Sequence, residues 1–152
     1  MKIKIAMFFT IFLLPLGLSN ISIADDSVIG TWKTIDDNTG DPKSIVRLFK
    51  QDNKLYGEVI RLFRNPDEDQ DPLCEKCTDH RKDKNILGMQ VIDGLTYKNG
   101  KWRDGEILDP ESGTKYKCEI WRNKENLSVR GYVFLFFRTQ TWVKYENTQI
   151  HK

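Results

Sequence analysis

Short runs of alternating apolar and polar residues, separated by turn residues, limit what this chain can fold into. In the clearest run, 114–122, Tyr116, Cys118 and Ile120 alternate with Lys115, Lys117 and Glu119. This alternation is typical of a sheet with one dry face and one solvated face. Similar runs recur at roughly the 8–12 residue spacing of an antiparallel sandwich or barrel. Because helical periodicity is not convincing anywhere, the sequence predicts an all-β protein.

The pattern predicts eight strands, namely 28–35, 44–50, 55–63, 86–97, 102–108, 114–122, 127–133 and 139–145. Asn99-Gly100 is the strongest short hairpin signal, and mostly short connections favour neighbouring antiparallel strands. Gly57, Gly88 and Gly131 fall inside strands, where they suit the bends that close a small barrel or a bulge in an open sandwich. We favour a single antiparallel up-and-down β-barrel of about eight strands.

Residues 1–24 have the composition of a signal peptide. A basic head precedes an apolar stretch over 5–18, and Ser22-Ile23-Ala24 provides small residues for cleavage before Asp25. The alternative is an uncleaved anchor, although the stretch is shorter than the ~20 residues that span a bilayer comfortably. We therefore expect residues 25–152 to form one exported domain, secreted or periplasmic.

The charge balance argues against one class of partner. The two lysines of residues 1–24 have no matching acid there, so residues 25–152 hold equal numbers of bases and acids. A nucleic-acid binder needs a basic excess concentrated on one face. We expect no nucleic-acid partner.

The first predicted strand contains Gly30-Thr31-Trp32, which resembles the Gly-x-Trp signature of lipocalins. The resemblance implies that Trp32 closes one end of the barrel and that a basic side chain from the last strand lies across its ring. Arg138 and Lys144 are the candidates, and Arg138 is favoured. Because a buried tryptophan is useful in any core, this short motif is weakly specific.

A longer resemblance covers nearly all of residues 25–152. It is carried by further segments, among them Leu55-Tyr56-Gly57, Asp71-Pro72-Leu73-Cys74-Glu75-Lys76-Cys77, Ile107-Leu108-Asp109-Pro110, Val129-Arg130-Gly131-Tyr132 and Arg138-Thr139-Gln140-Thr141-Trp142. Together they are similar to an uncharacterised family of secreted bacterial domains with a lipocalin-like (calycin) fold. The resemblance implies an exported barrel and brings no established activity.

Cys74 and Cys77 form a Cys-x-x-Cys pair. In an oxidising envelope the nearest cysteines are predicted to form a disulfide, which leaves Cys118 as a small buried apolar residue. Two alternatives remain open: an exposed redox-active pair, and a zinc site completed by His80 and Cys118. We expect no metal and no other cofactor.

Catalytic signals are sparse. The two histidines are His80 and His151, and the sequence has neither a phosphate-binding glycine loop nor a nucleophile elbow. The acidic run 67–71 imitates the start of a calcium loop, but Pro72 stands where that loop needs glycine. We expect a protein that is not an enzyme.

The expected function is binding of a small hydrophobic or amphipathic molecule inside the barrel or at its mouth. The inward-facing candidates are Leu55, Val59, Tyr116, Ile120, Val129 and Val133. Two aromatic residues, Tyr97 and Trp102, are expected near the rim. Arg47 or Arg130 would orient a carboxylate if either turned inward. The alternative is an envelope interaction or structural protein with a packed barrel.

In residues 132–137, Tyr-Val-Phe-Leu-Phe-Phe, the alternation breaks down and both faces become apolar. One interpretation is a strand whose outer face is covered by a partner subunit or by another part of the chain. The other is an exposed apolar patch that touches a membrane or a ligand. Transient membrane contact and a homodimer are both open expectations.

Overall fold

A computed structural model describes residues 25–146, which form a closed antiparallel barrel of eight strands in sequence order. After a short 3-10 helix, Asp26–Val28, the strands are β1 Gly30–Ile35, β2 Pro42–Gln51, β3 Lys54–Leu62, β4 Gln90–Lys98, β5 Lys101–Asp109, β6 Thr114–Asn123, β7 Asn126–Val133 and β8 Phe136–Lys144. The predicted up-and-down barrel is confirmed. The predicted signal peptide lies outside the described residues. No helix within 25–146 is long and apolar enough to span a membrane.

One end of the barrel, here called the base, carries the tight turns. Asp52-Asn53 and Asn99-Gly100 have φ values of 50°, 60°, 52° and 79°. A two-residue hairpin turn that matches the twist of its strands requires positive φ at both residues. The N-terminal 3-10 helix lies at this end, since Val28 accepts a bond from the side chain of Trp32. The opposite end, here called the mouth, carries the 36–41 turn, the long 63–89 loop, the 110–113 turn and the β7–β8 turn.

Two buried tryptophans fasten the N-terminal segment across the base. The indole nitrogen of Trp32 donates to the Val28 carbonyl at 2.8 Å, and that of Trp102 donates to the Asp25 carbonyl at 3.0 Å. Both rings are at most 1% exposed. Trp102 therefore lies at the closed base, and the expectation that it sits near a ligand rim is wrong.

The cation over the Trp32 ring is Arg122, whose Cζ lies 5.0 Å from the ring centroid. The favoured candidate, Arg138, instead forms an ion pair with Asp37 of the 36–41 turn at the mouth. Lys144 pairs with Glu146. The assignment of Arg138 to Trp32 is therefore wrong, because β8 carries Arg138 several residues beyond the point where it meets β1.

The core is tightly packed from the base to the middle of the barrel. Its fully buried side chains include Leu48, Leu55, Ile92, Leu95, Ile120 and Leu127. A Cβ added to Gly57 would lie 2.8 Å from Leu48 Cδ2, closer than real Cβ atoms approach. The glycine in β3 thus allows its neighbours to pack.

The 63–89 loop folds back onto the mouth and is fixed by the Cys74–Cys77 disulfide. This pairing confirms the predicted disulfide. Both cysteines are buried, so the bond acts as a clip rather than an exposed redox pair, and its sulfurs are not free to bind zinc. The loop approaches the β5–β6 turn so closely that a Cβ on Gly113 would lie 2.0 Å from the Lys76 oxygen.

A nearly buried ion pair holds the second half of this loop. The Arg81 guanidinium donates to both carboxylate oxygens of Asp79, at 3.1 and 2.6 Å, and to the Gln90 carbonyl at 2.9 Å. The hydrogen bonds from Arg81 hold the pKa of Asp79 far below its usual value. The predicted start of the fourth strand at Ile86 is wrong: β4 begins at Gln90.

Candidate functional site

The barrel is joined incompletely between its first and last strands. β1 and β8 pair only at Trp32↔Lys144 and Lys33↔Val143, near the base. β7, by contrast, pairs with β8 from Leu127↔Trp142 to Val133↔Phe136. Towards the mouth, β8 therefore pairs with β7 on one side and has no backbone pairing with β1 on the other. We call this unpaired stretch the seam.

The inner face of β8 is exposed along the seam. Trp142 is buried in the core, so strand alternation places Gln140, Arg138 and Phe136 on the same inner face. The Arg138 side chain is 64% exposed and Phe136 is 79% exposed. Solvent thus reaches the inner face near the mouth, while the base is dry.

One wall of the mouth is polar. The Asp37 carboxylate binds the Arg138 guanidinium and accepts a bond from Gln140 Nε2 at 3.1 Å, so these contacts bridge the seam. On the inner face of β1 and β2, the hydroxyls of Thr34 and Ser44 pair at 2.8 Å. Because inner positions of a packed barrel are usually apolar, this polar wall indicates a site where water or a polar group of a ligand can bind.

The 36–41 turn, which places Asp37 at the seam, is fixed by its neighbour Asp36. The Asp36 carboxylate accepts bonds from the backbone nitrogens of Asn38 and Thr39, at 2.8 and 3.2 Å. Those two bonds lower the pKa of Asp36. The turn is thus ordered by its own backbone, independently of the Asp37 contacts.

The facing wall is apolar. It consists of half-buried Tyr116 on β6, Gly131 and Val133 on β7, and Phe136 on β8. A Cβ added to Gly131 would meet only the Tyr116 side chain, 3.5 Å away, which is ordinary van der Waals distance. The surroundings of Gly131 are therefore looser than those of Gly57.

The predicted ligand-binding residues fall into two groups. Six lie in or against the packed core: Leu55, Val59, Tyr97, Trp102, Ile120 and Val129. Tyr116 and Val133 border the mouth. Both arginines considered for a ligand carboxylate face outward, because Arg47 pairs with Glu58 and Arg130 stacks on Phe137.

Sequence reasoning missed Arg138, Gln140 and Gly131 as residues of the mouth. Strand alternation could have identified Arg138 and Gln140, since they lie four and two residues before Trp142 and therefore on the same face of the strand. Arg138 had been assigned to Trp32 because of the resemblance to lipocalins.

Other features of the described residues offer weaker sites. A concavity of about 410 Å³ at the base is bordered by Asp26, Arg122 and Lys144, but these charges are already paired, with Lys50, Glu125 and Glu146. No group of three or more His, Cys, Asp or Glu side chains in residues 25–146 is placed to hold a metal ion.

Cys118 is the free cysteine of the described residues. It is buried in the core, and this burial raises the pKa of its thiol. A thiol that stays protonated at neutral pH is not a nucleophile.

Comparison with known proteins supports the same fold. The model of a family described as "Uncharacterized protein conserved in bacteria (DUF2147)" matches residues 30–144. No curated protein matches the chain. A solved structure from Helicobacter pylori, the protein HP1028, described as belonging to the lipocalin family, is similar with a TM-score of 0.65 and 15% identity, over 78% of this chain and 83% of that one. At this identity the likeness shows the fold alone. The family match covers most of the chain, which therefore belongs to the DUF2147 family of uncharacterised bacterial proteins.

Proposed function

We propose that this protein is an exported, non-catalytic carrier that binds a small amphipathic molecule, with an anionic head group and an apolar tail, at the mouth of its barrel. The observation that supports it best is the exposed inner face at the seam. There, one arginine and several polar groups face an apolar wall that would accept a Cβ at Gly131 in ordinary van der Waals contact. Ligand sites are mostly apolar concavities with a few placed polar groups.

The two walls suggest how such a molecule would lie. Its head group would bind Arg138 and Gln140 and take over the contacts now made by Asp37. Hydrogen bonds to a charged group contribute about 1.5–3 kcal/mol each when well formed. The tail would pack on Tyr116, Val133 and Phe136. Because the core below is packed around Ile120 and Leu127, the tail would stay near the mouth.

Export rests on two observations. The first is the signal-like composition of residues 1–24. The second is the Cys74–Cys77 disulfide, because disulfides persist mainly in oxidising compartments such as the periplasm and the extracellular space. The likeness to a lipocalin adds only an argument by analogy, because proteins with similar folds can have different functions.

The test is displacement of a fluorescent fatty acid from the purified protein. Arg138→Met should weaken binding of the fatty acid by about 10- to 100-fold, as expected for a lost charged hydrogen bond. The same variant should leave binding of the matching fatty alcohol unchanged. Arg47→Met is the matched control, because Arg47 is an ion-paired arginine on the outer face, and it should bind like the unaltered protein.

A second arm fills the mouth. Gly131→Leu places a large side chain on the inner face against Tyr116, where the tail is proposed to pack, and should weaken both ligands. Native mass spectrometry of protein purified from its own envelope should show a co-purified small molecule. Absence of both bound ligand and displacement would favour the alternative, an interaction or structural protein with a packed barrel.

A further inference from the structure

We propose that the end of the β7–β8 hairpin is a membrane-docking element that inserts into a phospholipid bilayer. The segment consists of Val133, Phe134, Leu135, Phe136 and Phe137 and is called the hairpin tip below. It shares Val133 and Phe136 with the proposed ligand site, but the proposal goes beyond that function and is tested separately from it, at Phe134 and Leu135.

The hairpin tip is a continuous exposed apolar surface. Its five side chains are 46%, 98%, 95%, 79% and 60% exposed, in sequence order. Large apolar side chains scattered singly over a surface are ordinary, whereas a contiguous patch marks a contact site. Elsewhere in residues 25–146, large apolar side chains are at most 46% exposed.

The turn at the apex lacks the residue types that usually form a hairpin turn. Two base turns use Asp52-Asn53 and Asn99-Gly100, which tolerate positive φ, and the third has the polar residue Lys124 at a φ of 56°. The tip uses Phe134-Leu135, and Phe134 has a φ of 52°, which is unfavourable for a bulky side chain. Local rules are usually broken at functional sites. The choice of apolar residues over good turn residues indicates a function for the exposed side chains.

The arrangement of the side chains favours a bilayer over a protein partner. Val133 and Phe136 share the inner face of the hairpin, and Leu135 is at the apex. Phe137 lies on the outer face, beside its cross-strand neighbour Tyr132. A protein partner that covers one face would leave the other exposed. Lipid surrounds an inserted tip on every side, so all five residues would be removed from water.

Cations lie at the depth where lipid phosphates would be. Arg138 is three residues beyond the apex residue Leu135, or about 10 Å along a strand. Apolar faces at a membrane surface are buried about 5–10 Å deep. On the neighbouring strand, the Arg130 guanidinium stacks 4.3 Å from the Phe137 centroid and bonds to Thr139. Lys117 is the cross-strand neighbour of Tyr132 and is 71% exposed, with its amine 3.5 Å from a Glu106 carboxylate oxygen. This placement suits an anionic bilayer.

The test is flotation of the full chain, expressed with residues 1–24, with vesicles of equimolar phosphatidylethanolamine and phosphatidylglycerol. The double variant F134S/L135S should lower the partition coefficient at least tenfold, because burial of each large apolar side chain is worth more than a factor of ten. Val143→Ser is the matched control. It removes an exposed apolar side chain near the base and should float like the unaltered protein. All proteins share the same N-terminal segment, so a difference belongs to the tip.

A second measurement reports insertion itself. In the variant Phe134→Trp, vesicles containing brominated lipid should quench the added fluorescence. Equal flotation of F134S/L135S and the unaltered protein, or no quenching, would overturn the proposal. A concentration-dependent dimer that the double variant abolishes, without vesicle binding, would instead assign the tip to a second copy of the chain. Because Phe134 and Leu135 are outside the proposed ligand contacts, fatty-acid displacement by the double variant should be unchanged, so the two proposals fail separately.

Discussion

The same substitution, glycine to alanine, should have opposite effects at two inner-face positions of the barrel. At Gly57 the added Cβ would lie 2.8 Å from Leu48 Cδ2 and 3.2 Å from Ile92 Cβ. Overpacking of this kind costs about 1–3 kcal/mol. At Gly131 the Cβ meets the Tyr116 side chain at 3.5 Å, a normal contact. Without strain, alanine reduces the entropy of the unfolded chain and stabilises by about 0.4–1 kcal/mol.

We therefore expect the two variants to differ in free energy of unfolding by about 2 kcal/mol, since the entropic gain applies to both and the steric cost only to Gly57→Ala. The assay is urea unfolding followed by tryptophan fluorescence, with comparison restricted to variants of unchanged m-value. In a thermal melt the same difference corresponds to a separation of about 8 °C for a domain of this size.

Equal destabilisation by the two substitutions would refute the reasoning. It would mean that Gly131 is as tightly packed as Gly57, and the looser packing that supports the ligand proposal would be lost with it. A neutral Gly57→Ala variant would refute the other half, the claim that the barrel is packed solid around β3.

Three further variants test how the loop and the base are held. Replacing Cys74 and Cys77 by alanine should lower the free energy of unfolding by about 2 kcal/mol, the chain-entropy value for the short loop that the disulfide closes. Asp79→Asn leaves a nearly buried arginine without its charged partner, which should cost about 1.5–3 kcal/mol and expose the 63–89 loop to limited proteolysis. Because the folded-state pKa of Asp79 is lowered, its stabilisation is complete above the ordinary pKa of about 3.9 and declines as pH falls through the folded value, so variant and unaltered protein should converge in acid. Arg122→Met should cost about 1 kcal/mol and change the fluorescence of Trp32, whose ring it covers.

Each of these predictions has a matched control. Unaltered protein in reductant should unfold like the double cysteine variant, and a larger loss in the variant would show that packing of the sulfurs dominates. Asp83→Asn removes an exposed carboxylate from the same loop and should leave its proteolysis unchanged. Arg138→Met should leave the Trp32 emission unaltered; a larger effect there than at Arg122 would restore the lipocalin-like assignment.

The number of strands and most of their bounds could be predicted, because a strand with one dry face leaves a period of two in the sequence and glycine, asparagine and aspartate mark its ends. The disulfide was predictable from spacing and compartment. The length of the β7–β8 turn was not, since Phe134-Leu135 contains no typical turn residue: the predicted strands left 134–138 between them, whereas β8 begins at Phe136. The start of β4 was misplaced for a related reason: Ile86 and Met89 are buried by the loop rather than by a strand.

The site was less predictable than the fold. Alternation identifies which residues point inward, and Ile120, Val129 and Leu55 do so. It does not show how far along the axis the interior stays packed, because that depends on how completely β1 and β8 close. The sequence also did not identify the residue that covers Trp32. Arg122 belongs to β6, and the curvature of the barrel, not a local sequence pattern, brings it close to Trp32.

The brevity of the β1–β8 ladder has a consequence for how the protein folds. The seven other strand pairs join neighbours in sequence, whereas this one joins the two ends of the domain through two register pairs. Forming it requires the largest loss of chain entropy for the smallest number of hydrogen bonds. We expect this junction to form last in refolding and to open first in native-state hydrogen exchange, so that the amides of Lys33 and Val143 exchange well before those of β3 and β4.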